Sequence, residues 1–237
     1  MNTHQDIPTP SAARKLADEL ATSFDAAYIW SRPGLARADR HLAALSGAMA
    51  LGNADYLMKE ISAALKEGIA PLTIAETLIH NCLYSGTATL EMALGLAFDL
   101  FEAHGLTVSL DPFPTGTNQD MKAAGAALKA TLHAERQNNG HANPDTRFAS
   151  ALYDLATDFG YGHIWQRPGL DLRQRLVCAV AAFTALPDCE DSLSKFAQTA
   201  NNHGLSVTEI QEVAIQATTQ IGFPRALKAL MVLEDVL

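Results

Sequence analysis

Residues 29–35 read I-W-S-R-P-G-L, and residues 164–170 read I-W-Q-R-P-G-L. At the same spacing of 135 residues, Leu20, Ala21, Thr22 and Phe24 meet Leu155, Ala156, Thr157 and Phe159, and Arg40 meets Arg175. One further residue of offset carries the match onward: Leu57 with Leu193, Lys59 with Lys195, Ala64 with Ala200, Gly68 with Gly204. It continues with Ile74 and Ile210, Glu76 and Glu212, Ile79 and Ile215, and Gly86 and Gly222. Chance does not hold register over so long a stretch, so the chain is a tandem duplication of one unit.

Each copy reads as helices. Apolar residues recur at three- and four-residue steps through 14–28, 37–51, 54–66, 72–84 and 88–103, and strand-like alternation is nearly absent. Arg-Pro-Gly breaks the chain at 32–34 and 167–169, and Gly68 and Gly204 stand where a helix C-terminus favours a left-handed residue. Thr73 or Ser206 supplies an N-cap soon after. The reading is an all-α fold with a first repeat over 11–110, a linker over 111–145 and a second repeat over 146–237. The linker holds loops at 107–117 and 138–145 around a bridging helix at 119–137.

Composition bounds the function. Hydrophobic residues make up 48% and charged residues 18%, and 17 basic against 26 acidic side chains leave a formal charge of −9. Phosphate backbones and anionic membranes need a basic face, so neither nucleic acid nor membrane is an expected partner. Cys82, Cys178 and Cys189 form no C-x-x-C pair and no disulfide framework. The first eleven residues lack the basic and apolar regions of a signal peptide, and no apolar run reaches the roughly 18 residues of a membrane span. A cytoplasmic location is expected.

Glu76-x3-His80-x3-Tyr84-x-Gly86 places a carboxylate, an imidazole and a phenol along one drifting helix face. On this reading Glu76 fixes the His80 tautomer or stabilises its imidazolium, and His80 exchanges a proton near neutrality. Tyr84 donates to a developing oxyanion, and Gly86 ends the helix and lets a ligand approach. The second copy carries Gln216 and Gln220 in place of His80 and Tyr84, while keeping Glu212 and Gly222, so only the first copy titrates. A structural role for the retained Glu76, a buried ring for Tyr84 and an inert buried thiol for Cys82 are the plain alternatives. Trp30, Arg32 and Arg40, like Trp165, Arg167 and Arg175, serve packing and ion pairs. Arg32 or Arg40 is also the candidate for holding a substrate carboxylate. No H-E-x-x-H occurs, and neither a metal nor another cofactor is expected.

The pattern W-x-R-P-G-L-x4-R, followed by A-x3-G-x7-E-x3-H-x3-Y-x-G, resembles the carboxymuconolactone decarboxylase family, within the AhpD-like helical superfamily. The resemblance covers 20–104 and 155–237, so the chain resembles a tandem member. It implies an AhpD-like helical bundle assembling as a homotrimer that acts as a pseudo-hexamer. It also implies a lyase: a cofactor-independent decarboxylase of a small anionic lactone or related enolisable acid, in which the substrate's conjugated carbonyl takes up the electrons. The protein then binds carboxylates, stabilises the oxyanion and delivers a proton to carbon. Two departures matter. Members often carry a histidine where Glu60 and Phe196 stand, and the peroxidase branch needs the C-x-x-C pair that this chain lacks. Other readings are a non-catalytic oligomeric protein binding a ligand or partner, and a thiol peroxidase dependent on Cys82.

Overall fold

The computed structural model describes residues 10–113, 119–134 and 148–237, and every regular element among them is helical. In the first repeat α1 (Pro10–Phe24) runs into a π-helical turn, Asp25–Trp30. The helices α2 (Arg37–Ala50), α3 (Ala54–Lys66), α4 (Pro71–Ser85) and α5 (Thr87–Ala103) follow. The bridging helix is α6 (Gln119–His133). In the second repeat α7 (Ala149–Leu155) continues as a π-helical stretch, Ala156–His163, and a short 3₁₀ turn. Then come α8 (Leu172–Ala185), α9 (Glu190–Asn202), α10 (Val207–Gln216) and α11 (Thr218–Glu234). The loop expected at 138–145, residues 114–117 of the loop expected at 107–117 and the end of the bridging helix lie outside the described residues.

Local signals explain the boundaries. Ser206 and Glu209 form a capping box on α10, and Asp171 and Gln174 form another on α8. Thr73, expected as a cap, lies inside α4 instead, because Pro71 takes the first helical position, where its missing N–H costs nothing. Gly86 (φ 86°, ψ 161°) and Gly222 (φ 74°, ψ 167°) adopt a conformation essentially restricted to glycine; the first separates α4 from α5 and the second kinks α11 near its start.

At the centre α2 packs along α8, its own counterpart. Both are apolar or small around most of their circumference, with Ala44, Leu45, Ala48, Val177, Ala179 and Val180 fully buried, as suits a helix enclosed on all sides. The two cores exchange residues: Leu35 and Leu42 of the first repeat join the second core, and Ile164 of the second joins the first. The repeats are therefore interlocked by an approximate twofold. One element breaks it: α6 lies on the π-helical stretch of the second repeat, and among the described residues no helix covers the counterpart stretch 21–28 in the same way. No helix among the described residues is long and apolar enough to cross a membrane.

Candidate active site

The duplicated Arg-Pro-Gly loops reach across to the other repeat. Arg167 grips Glu76 in a fork, Nε to Oε2 at 2.9 Å and Nη2 to Oε1 at 2.8 Å, with both residues buried. In mirror image Arg32 grips Glu212, Nε to Oε2 at 3.0 Å and Nη2 to Oε1 at 2.6 Å, and Arg40 adds a bond at 2.9 Å. Burial works against the Glu212 carboxylate, yet Arg32 and Arg40 outweigh it and hold its pKa below the ordinary value. Glycine is required in each loop: a Cβ on Gly169 (φ +89°) would stand 2.8 Å from Glu76 Cγ, and one on Gly34 (φ +94°) 2.9 Å from Thr208 Cγ2. Glu76 holds Arg167 rather than His80, the structural role read as its alternative, and Arg32 and Arg40 make the ion pairs read for them, with Glu212; the arginine beside His80 is Arg175 of the second repeat.

At the first junction His80 is fully buried. Arg175 Nη1 lies 3.3 Å from its Nδ1, and Tyr84 Oη lies 3.3 Å from its Nε2. A guanidinium only donates, so Nδ1 accepts and the imidazole proton sits on Nε2, facing the phenol. Burial, reinforced by the charge of Arg175, lowers the His80 pKa well below its usual value, and burial raises that of Tyr84 well above its own. His80 and Tyr84 are thus both neutral. Aromatic rings enclose it: Trp165 stands edge-on to His80 at 4.8 Å, and Phe183 and Phe196 pack on Tyr84 at 4.9 and 6.5 Å.

The equivalent junction in the other half is built differently. Tyr161, Phe183 and Phe196 correspond there to Ala26, Ala48 and Glu60. Large rings are replaced by two methyl groups and a carboxylate, and a pocket of about 560 Å³ opens, lined by Trp30, Arg37, His41, Tyr56, Glu60 and Glu67 among others. His41, on α2, hydrogen-bonds through Nδ1 to Glu60, on α3, and both are buried. Burial opposes the His41 imidazolium, but Glu60 and then Glu67 outweigh it and raise its pKa; burial raises the pKa of Glu60 as well. The pair therefore holds a proton more firmly than either group would in water. Tyr56 hydrogen-bonds to Thr219 at 3.2 Å, and burial keeps its phenol protonated.

The polar network behind this junction is incompletely hydrogen-bonded. Arg40 Nε, His41 Nε2, Gln216 Nε2 and Gln220 Oε1 are buried and make no hydrogen bond, four of the seven such side-chain atoms among the described residues. Buried polar groups are normally satisfied, and a cluster of exceptions marks a place where a ligand or solvent belongs.

The divergence argument that singled out His80 and Tyr84 extends to His41 and Glu60. Their counterparts are Leu176 and Phe196, so this acid–base pair too is confined to the first copy. Its members stand on different helices with no common spacing, and Glu60 registered only as the absence of a histidine. Gly86 has open space around its Cα, and its role is the break between α4 and α5. Cys82 is buried, and burial raises its thiol pKa to about 11, which leaves it unreactive near neutrality. No group of three or more potential metal ligands occurs among the described residues.

Comparison with known proteins adds to this geometry. The model of the carboxymuconolactone decarboxylase family matches residues 16–99 and again 150–235. A 4-carboxymuconolactone decarboxylase of Acinetobacter baylyi is 32% identical over 78 residues, covering 33% of this chain and 58% of that protein. The nitrosuccinic acid decarboxylase npaB of Metarhizium robertsii is 28% identical over 109 residues, covering 46% of this chain and 75% of that protein.

Proposed function

This chain belongs to the carboxymuconolactone decarboxylase family, and from that premise we propose that it decarboxylates a small anionic acid in the pocket bounded by His41 and Glu60. The observation that carries the assignment is the buried His41–Glu60 acid–base pair in the lining of an open cavity.

The chemistry asks for no bound cofactor if the substrate provides the electron acceptor. The bond between the carboxylate and the adjacent carbon breaks, carbon dioxide leaves, and the electron pair moves into the substrate's conjugated carbonyl or equivalent group. The His41–Glu60 pair then delivers its proton to the carbon, a general-acid step worth about 10²–10⁴ in rate. Tyr56, which lines the same pocket with its phenol kept protonated by burial, supplies a donor for the developing oxyanion. Glu76–Arg167 and Glu212–Arg32 hold the two repeats in register around the site.

A second reading keeps the proton at His80, supported by its contacts with Tyr84 and Arg175. One experiment separates the two. Carbon dioxide release is measured for a panel of small acids that includes 4-carboxymuconolactone and nitrosuccinate. Turnover of an accepted acid should fall about 10²-fold or more in Glu60→Gln and persist in folded His80→Gln. Loss in His80→Gln with retention in Glu60→Gln would move the site to the first junction.

A further inference from the structure

The mouth of the same pocket carries a second charged pair that the acid–base assignment leaves unused. Arg37 lies over the Trp30 ring, its guanidinium carbon 4.7 Å from the centroid, and donates to the Trp30 carbonyl at 3.1 Å. Its Nε donates to Glu67 Oε2 at 3.0 Å, and Nη2 pairs with Glu67 Oε1. Trp30 in turn packs against the His41 ring at 4.7 Å. The Glu67 carboxylate thus bridges from Arg37 at the rim towards His41, with Oε2 only 3.2 Å from His41 Nε2. His41 is 1% exposed, and this ion-pair contact does not complete a hydrogen bond to its Nε2.

Three features set this pair apart from the ion pairs that build the fold. The second repeat has Leu172 and His203 at the positions of Arg37 and Glu67, so the pair is absent from the sealed junction and present at the open one. Arg37 and Glu67 keep 52% and 36% of their side-chain surface exposed, whereas Glu76 and Arg167 are buried at 1% and 6%. Exposed ion pairs contribute little net stability, so an incoming carboxylate loses little by displacing one partner. Finally, the guanidinium is held flat by Trp30 and its backbone bond, and it presents to Glu67 the edge that suits any carboxylate.

We propose that Arg37 is a carboxylate-binding subsite of this pocket and that Glu67 is its resting occupant, displaced when a small dicarboxylic acid binds. As the substrate anchor this rests on the decarboxylase reading; as an anion site it does not. The carboxylate on Arg37 is the one the substrate keeps, since pairing with a cation stabilises a carboxylate against loss. The one to be expelled points inward, towards Glu60, away from Arg37, the sole arginine among the described residues that line the pocket. The enzyme therefore selects acids with two anionic ends, and a monocarboxylate binds without register.

Calorimetric titration of the full-length protein with glutarate, an unreactive dicarboxylate, tests this at low ionic strength. Glu67→Gln keeps the shape and removes the competing charge, and should bind glutarate roughly two- to fivefold more tightly than the wild type. Arg37→Gln should weaken binding at least about tenfold, and by a further two- to fivefold in the Glu67→Gln background, where no competing carboxylate has to be displaced. Unchanged or weaker affinity in Glu67→Gln would overturn the proposal, as would full affinity in Arg37→Gln or the absence of glutarate binding in both wild type and Glu67→Gln. Failure of the decarboxylase assignment reads out separately, because Glu60→Gln is judged by carbon dioxide release and glutarate binding by heat.

Discussion

His80 shows how spacing along one helix can misjudge a residue's environment. Glu76 lies one turn before it on the same helix, and sequence spacing suggested a carboxylate supporting an imidazolium. Arg167, from the other repeat, takes both Glu76 oxygens, and Arg175 presents a positive charge to the imidazole. Nothing in a single helix discloses either arginine, because both arrive through tertiary packing. The consequence is measurable. With its folded pKa lowered, His80 stays neutral in the native state while the unfolded chain takes up a proton below about pH 6.5. Stability should therefore fall as pH drops below that value, by up to about 1.4 kcal/mol per pH unit from this group. Chemical denaturation of His80→Gln between pH 7 and pH 5 should show that slope removed, whatever the absolute change at pH 7. An equal slope in both proteins would mean that His80 titrates normally.

Among the elements, the helices were largely legible: periodicity located α2, α3, α4 and α5 to within a residue or two, and the glycines located their ends. The duplication made the second repeat readable by transfer. What escaped was the difference between the two copies in what covers them. α6 sits so close to the π-helical stretch of the second repeat that side chains are excluded. A Cβ on Gly125 would lie 2.2 Å from Thr157 O, and one on Gly162 2.5 Å from Met121 O. His133 at the end of α6 adds bonds to Tyr161 at 2.8 Å and Thr199 at 3.1 Å. Gly125→Ala must push backbone from backbone and should cost about 2 kcal/mol or more. Gly95→Ala, on an exposed face of α5 with open space around it, should instead stabilise by about 0.5–1 kcal/mol. Thermal melts of the two variants give opposite signs if α6 is docked by this contact.

For the molecule as a whole, apolar side chains remain uncovered on α1 and α11: Leu16 and Leu20 are 65% and 70% exposed, and Phe223 and Leu227 are 69% and 60% exposed. Phe24, Tyr28, Phe223 and Leu227 line an apolar groove of about 640 Å³. Exposed apolar area of this kind marks association surfaces, and a trimer is the assembly that the family resemblance implied. Sedimentation should give about three times the 25.4 kDa chain mass, and Leu227→Asp should lower it. A monomeric wild type would show that these faces serve some other contact.

Interlocked repeats joined in one chain also change what mutation can accomplish. In a pair of identical single-repeat subunits, every substitution lands on both faces of the contact at once, so a ring that fills one cavity fills its mate. Covalent fusion removes that constraint. Tyr161, Phe183 and Phe196 could accumulate on one side without closing the other, leaving a strut and a vessel encoded by one gene.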